Sequence, residues 1–264
     1  MRTKTKFFLI ALICMSQIIS CKKDSSCTCT CPPVDNEKTD STLIAWYTFD
    51  NDVLDHSGNN NNVIFNTASL TSGKEGIEKT AYSFDGIDSY MEVANSASLD
   101  VSQISIFALV KPNGFYQNTC HQNRIISKGS NDYDHGRINI GFDDAEYYNY
   151  NGCDQPVQNN FETFYGSYGD GVNATGARNS NDYVKTNQWY SIVYTFDGTY
   201  SKLYVNGILV SQIAGHTTFD ANTNSLFIGR NQDPNYPYYF NGIIDEIKIY
   251  KRAINATEVA ELSK

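Results

Sequence analysis

The acids that could do chemistry lie toward the two ends of the chain. Asp245 and Glu246 stand side by side in the apolar run "FNGIIDEIKIYKRAI", and Asp50, Asp52 and Asp55 follow "LIAWYTF". Paired carboxylates can act as acid and base across one bond, ligate a hard cation, or accept backbone N–H groups. If the later run is a strand, its side chains alternate between two faces. Ile243, Asp245, Ile247 and Ile249 then share a core face, and Ile244, Glu246, Lys248 and Tyr250 share the solvent face. The two carboxylates diverge, so they do not act together on one substrate. Asp245, on the buried side, must be hydrogen-bonded, ion-paired or metal-bound. The earlier loop, "DNDVLDHSGNNNN", is dense in carboxylate and amide oxygens. Such oxygens suit Ca2+, which takes ~6–8 of them at ~2.3–2.6 Å; the same residues also make an ordinary polar turn. If the first and last strands pair antiparallel, Asp50 meets Asp245. Two carboxylates brought together repel or share a proton unless a cation joins them.

A second chemistry is aromatic. The stretch "FDDAEYYNYNGCDQPVQNNFETFYGSYGDG" sets Tyr147, Tyr148, Tyr150, Tyr165 and Tyr168 among Asp, Asn and Gly, and "NQDPNYPYYFNG" adds Tyr236 and Tyr238. Sugars present apolar C–H faces rimmed by hydroxyls, so rings interleaved with polar groups are what a carbohydrate site needs. These seven tyrosines are the expected ligand contacts; the competing reading is cross-strand packing. Catalysis has weaker support. No Glu-x-Asp-x-x-Glu run is present, and the nearest acid pair is Asp144 with Glu146. There is no Gly-x-Ser-x-Gly elbow or phosphate-cradling glycine loop, and the histidines have no zinc spacing. The expectation is a binder rather than an enzyme.

The elements that must position these groups are short strands. Apolar or aromatic runs at 43–49, 80–84, 89–93, 104–111, 124–128, 136–142, 188–196, 200–205, 208–213, 225–229 and 242–250 are separated by Gly, Asn and Asp. Asn206-Gly207 and Asp85-Gly86 are hairpin signals. Trp46 and Trp189 fall within runs and read as core packing. One helix is expected in "NATEVAEL", with Asn255 as N-cap and Glu258 completing a capping box. This pattern predicts an all-β fold, an antiparallel two-sheet β-sandwich or jelly roll with a short C-terminal helix.

The first residues describe export. A basic start, the apolar run Phe7–Ile13 and "IISC" resemble the signal of bacterial lipoproteins, cut before Cys21, whose acylation anchors the chain to the cell envelope, at the outer membrane. Residues 22–41 are polar and aperiodic, a flexible tether between the signal (1–20) and a domain over 42–264. Among the 264 residues, Lys and Arg number 20 and Asp and Glu 29; loss of Arg2, Lys4 and Lys6 with the signal moves the net charge from −9 to −12. That surplus of acid argues against nucleic acid as a partner. Of seven cysteines, Cys120 and Cys153 lie in the domain body, and an oxidising compartment favours a disulfide between them.

The motifs "AWYTFDN…DHSGNNNN", "AYSFDGIDSYMEV", "ISIFALVKP", "QWYSIVYTFDGTYSKLYVNGILV", "LFIGR" and "FNGIIDEIKIYKRAINATEV" occur in this order. Together, from about Leu43 to the C-terminus, they resemble the laminin-G-like, concanavalin A-like jelly-roll domains of bacterial surface and secreted proteins. The resemblance implies a structural Ca2+ between Asp50 and Asp245, with loop oxygens near Asn60 assisting. It also implies a glycan or a cell-surface protein as partner. Fold alone does not choose between them.

Overall fold

Alternating apolar residues build fifteen strands in the computed structural model, which describes residues 40–116, 122–129, 136–144, 162–169, 174–179, 182–215 and 222–264. In chain order they are β1 (Leu43–Tyr47), β2 (Val63–Asn66), β3 (Ser69–Thr71), β4 (Ala81–Asp85), β5 (Met91–Val93), β6 (Ile104–Pro112), β7 (Asn123–Lys128) and β8 (Arg137–Asp144). There follow β9 (Glu162–Gly169), β10 (Ala174–Arg178), β11 (Tyr190–Phe196), β12 (Tyr200–Val205), β13 (Ile208–Ala214), β14 (Leu226–Ile228), β15 (Asn241–Tyr250) and the helix α1 (Ala256–Leu262). The eight-stranded sheet runs β13-β12-β11-β6-β15-β4-β3, with β1 also on β15; the seven-stranded sheet runs β10-β9-β8-β7-β14-β5-β2. Side chains such as Ile106, Ile140, Phe142, Phe164, Phe196 and Ile247 fill the space between the sheets. This is the expected antiparallel sandwich.

Several local expectations hold. Asn206 and Gly207 both take positive φ, 51° and 78°, and join β12 to β13 as a hairpin. Asn255 caps α1 through the N–H groups of Thr257 and Glu258, with Glu258 returning the bond. The first and last strands pair antiparallel, Tyr47 opposite Ile247.

Others need correction. Asp85-Gly86 does not close a hairpin, because β4 lies in one sheet and β5 in the other; the turn carries the chain across the sandwich. Strands β2, β3, β9 and β10 were not anticipated. Every residue of β9 is buried, and its "ETFYGSYG" mixes polar and aromatic residues on both faces, so no apolar–polar alternation marks it. Trp46 is half-buried on the outer face of its sheet, under Lys248, and its Nε1 donates to Glu246 at 2.7 Å. The parity reading of β15 also fails. Ile244 faces Val110 and Glu246 faces Leu109, so Asp245 is the extra residue of a β-bulge. The bulge shifts the alternation by one, and Ile244, not Ile243, joins Ile247 and Ile249 in the core.

Cys21, the expected lipid anchor, residues 22–39 of the expected tether, and Cys120 and Cys153 lie outside the described residues, as do Tyr147, Tyr148 and Tyr150.

Candidate functional site

The bulge at Asp245 sits where β15 changes partners. Residues 241–244 pair with β4 and residues 247–250 with β1, so Asp245 faces the gap between those two strand ends. Its Oδ2 accepts the Lys74 N–H at 2.6 Å. Burial raises its pKa; the Lys74 N–H opposes that, and the charges of Glu246 and then Asp50 raise it further. Asp245 therefore feels two other acids, Glu246 next to it in the chain and Asp50 beyond the end of β1. A Cβ at Gly73 would fall 2.5 Å from both Asp245 Oδ2 and Thr80 Oγ1, so the missing side chain leaves a small oxygen-lined space. Among the described residues no group of three or more His, Cys, Asp or Glu is placed to hold a metal. Carboxylate and hydroxyl oxygens are donors for a hard cation rather than for a transition metal.

Asn60 is not brought to this place. The loop folds around Asp55, whose carboxylate accepts N–H groups from Trp46, Ser57 and Asn61 at 2.8–2.9 Å. Asn59 and Asn61 donate to the Leu43 and Ile44 carbonyls. Asn60 therefore lies beside the start of β1, whereas Asp50 follows its end.

The described tyrosines part company. Tyr168 is fully buried between the sheets and stacks on Phe196, centroids 3.9 Å apart. It is a core residue, because even-numbered positions of β9 face inward with Phe164. Tyr165, of opposite parity, lies on the outer face of the seven-stranded sheet and is 7% exposed. Tyr238 is buried and Tyr236 is 42% exposed, the two rings tilted together at 6.1 Å.

On that outer face aromatic rings and guanidinium groups form one connected row. Register sets Arg124, Gly141, Tyr165 and Arg178 across four neighbouring strands. Gly141 has no side chain, so Arg124 reaches across it to the Tyr165 ring at 5.2 Å, and Arg178 approaches that ring at 5.0 Å. Arg178 also pairs with buried Asp143. Arg124 stacks on Tyr238 at 5.0 Å, and Tyr238 and Tyr239 both meet Tyr116 edge to face. Arg230 lies 5.5 Å from the Tyr239 centroid, 4.7 Å from Tyr90 and 5.4 Å from Phe227. Tyr90 in turn meets Phe65 at 4.9 Å. At one end of the row Arg124, Tyr165 and Asp143 are buried and Arg178 half-buried; at the other, Tyr90, Arg230 and Tyr239 are half-buried and Phe65 is 43% exposed.

Arg230, Tyr90 and Phe65 were missed by sequence reasoning. The signal for Arg230 was "LFIGR": Gly229 takes φ 85° and turns the chain so that Arg230 lies back over the sheet. Tyr90 is delivered by the Asp85 turn. Asp85 accepts N–H groups from Ile87, Asp88 and Ser89 at 2.8–3.1 Å. Burial opposes ionisation of Asp85, but these donors outweigh it and lower its pKa to about 2. A lowered carboxylate pKa contributes stability that is complete above 3.8 and is lost as pH falls through the window toward about 2. Asp85→Ala should therefore cost about 1 kcal/mol in urea titrations at neutral pH. The difference from the parent should shrink as pH falls through that window.

Comparison with known proteins places this geometry. The family model described as concanavalin A-like lectin/glucanases superfamily matches residues 85–260. Domain 4 of AbnA, a GH43 extracellular arabinanase from Geobacillus stearothermophilus in complex with arabinotriose, is similar with a TM-score of 0.60 and 22% identity, over 84% of this chain and 98% of that one. The binding domain of Paraclostridial Mosquitocidal Protein 1 gives 0.61 at 17% identity, over 84% of this chain and 52% of that one. Botulinum neurotoxin type C, whose cell entry depends on interaction with two ganglioside molecules, gives 0.61 at 16%, over 85% and 51%. The chain thus spans about half of each toxin structure, and at these identities the likeness is one of fold. No curated protein matches the sequence.

Proposed function

The chain belongs to the concanavalin A-like lectin/glucanases superfamily, and from that premise we propose that its domain binds carbohydrate without cleaving it. The observation that carries the reading is the open end of the row: half-buried Tyr90 and Tyr239 against the Arg230 guanidinium, with exposed Phe65 beside them. Rings for C–H faces and fixed polar groups for hydroxyls are the two parts a sugar site needs. Neighbours of the same fold that hold arabinotriose or interact with gangliosides support a glycan ligand. The non-catalytic part rests on spacing. Glu92 on β5 and Asp143 on β8 are the described acids of this sheet's outer face, three strand spacings apart. That is roughly 14 Å, beyond the ~5–9.5 Å of glycosidase carboxylate pairs. Asp143 is moreover engaged by Arg178. Tyr90→Ala and Tyr239→Ala should each weaken glycan retention at least about tenfold while the melting temperature moves by less than about 4 °C. A glycan array probed with the parent and both variants tests this; unchanged retention in both would remove the site.

Calcium belongs to the same proposal. Asp50 and Asp245 would hold the ion, and its role would be to neutralise converging carboxylates and pin the ends of β1 and β15. EDTA should then lower the melting temperature, since a ligand at 100 times its Kd stabilises the native state by about 2.7 kcal/mol. An unchanged melting temperature would leave Asp245 as an acceptor for the Lys74 N–H alone. The chain is held at the bacterial envelope, in this reading, by acyl groups on Cys21; a Cys21→Ala protein recovered free of membrane would support it.

A further inference from the structure

We infer that the saccharide is acidic and that Arg230 receives its carboxylate, an assignment that rests on the outer face being a glycan site. Arg230 is held in place before any ligand arrives. Its carbonyl accepts the Ser127 hydroxyl at 2.8 Å, its Nε donates to the Asn231 carbonyl at 2.6 Å, and its Nη2 donates to the Gln232 carbonyl at 3.1 Å. Tyr90, Phe227 and Tyr239 surround the guanidinium. A side chain fixed in this way loses little further entropy on binding.

Its charge, however, is unanswered. The chain carries more acids than bases, yet among the described residues no carboxylate pairs with Arg230. Other arginines are differently placed: Arg178 is paired with Asp143, and Arg252 with Asp40 and Glu258. Glu92, on the neighbouring strand β5, accepts the Ser225 hydroxyl at 2.7 Å and makes no ion pair with Arg230. The Nη1 of Arg230 makes no hydrogen bond among the described residues, and the group is half-buried with rings around it. A planar guanidinium fork matches a planar carboxylate, and the partly desolvated setting strengthens that pair. Phe65 and Tyr90 offer stacking surfaces beside it, and Glu92 offers an acceptor for a hydroxyl. The arrangement fits a uronic-acid or related carboxylated sugar better than a neutral one.

The test compares sugars that differ only at the carboxylate. Because the protein's net charge is −9, short oligomers avoid the long-range repulsion that a polyanion would meet. Oligomers of galacturonate, guluronate and hyaluronan, and sialyllactose, are titrated calorimetrically beside their carboxyl-reduced forms. At least one acid should bind about tenfold or more tightly than its reduced partner. Arg230→Gln should erase that difference, Arg230→Lys should keep part of it, and Tyr239→Ala should weaken both forms alike. Equal binding of acid and reduced forms, or a preference that survives Arg230→Gln in a folded variant, overturns the assignment and leaves glycan binding standing. Failure of every saccharide, acidic, reduced or neutral, overturns both.

Discussion

Tyr168→Ala is expected to destabilise the domain by about 3–5 kcal/mol, the range for removing a large buried ring. The ring is fully buried, lies on the inward parity of β9 and stacks on Phe196, which belongs to the central strand β11 of the opposite sheet. Its removal leaves a cavity bounded by both sheets near their β10–β13 side, where relaxation is limited by strand pairing. For a domain of this size the loss corresponds to roughly 6–20 °C in melting temperature. Urea titration should show a lower midpoint at an unchanged slope. Tyr236→Ala, by contrast, removes a ring that is 42% exposed and should stay within about 0.5 kcal/mol of the parent. Parent-like stability in Tyr168→Ala, together with lost sugar retention, would return this residue to the ligand site and refute its place in the core.

The second large effect is expected at Gly229→Ala, which should cost about 2–5 kcal/mol and abolish glycan retention together. Two causes add. The backbone holds φ at 85°, where an L side chain is strained. A Cβ would also stand 2.6 Å from Phe84 Cε1 and nearer still to Cδ1, and Phe84 is a 1% exposed core ring. Neither side yields easily, because the Gly229 N–H donates to the Ile125 carbonyl and its own carbonyl accepts the Phe240 N–H. Relief requires the chain to shift, and the next residue is Arg230. Thermal melts read the first effect and the array reads the second. A variant with parent-like melting temperature and retention would show that the turn does not set Arg230.

The shared cause of both predictions is the crossing of sequence-distant segments, and it marks the boundary of what could be read beforehand. The alternating runs, the Asn206-Gly207 turn and the Asn255–Glu258 capping box were legible because each depends on residues a few positions apart. The pairing of the first and last strands could only be supposed, because it joins residues some two hundred positions apart. Strands β9 and β10 escaped because β9 is covered on both faces and shows no alternation. Asp245 was singled out correctly as an unusual acid, but its face was misread, since a bulge of one residue reverses every side chain beyond it.

The row of rings and guanidinium groups is the extreme case. Phe65, Tyr90, Arg124, Tyr165, Arg178, Arg230 and Tyr239 carry no common spacing in the chain. Periodicity records which way a side chain points relative to its near neighbours, so strand type and fold class were written locally. Which distant strands lie side by side, and in what register, is settled only when two sheets bury their apolar faces against each other, and that packing alone decided where these residues meet.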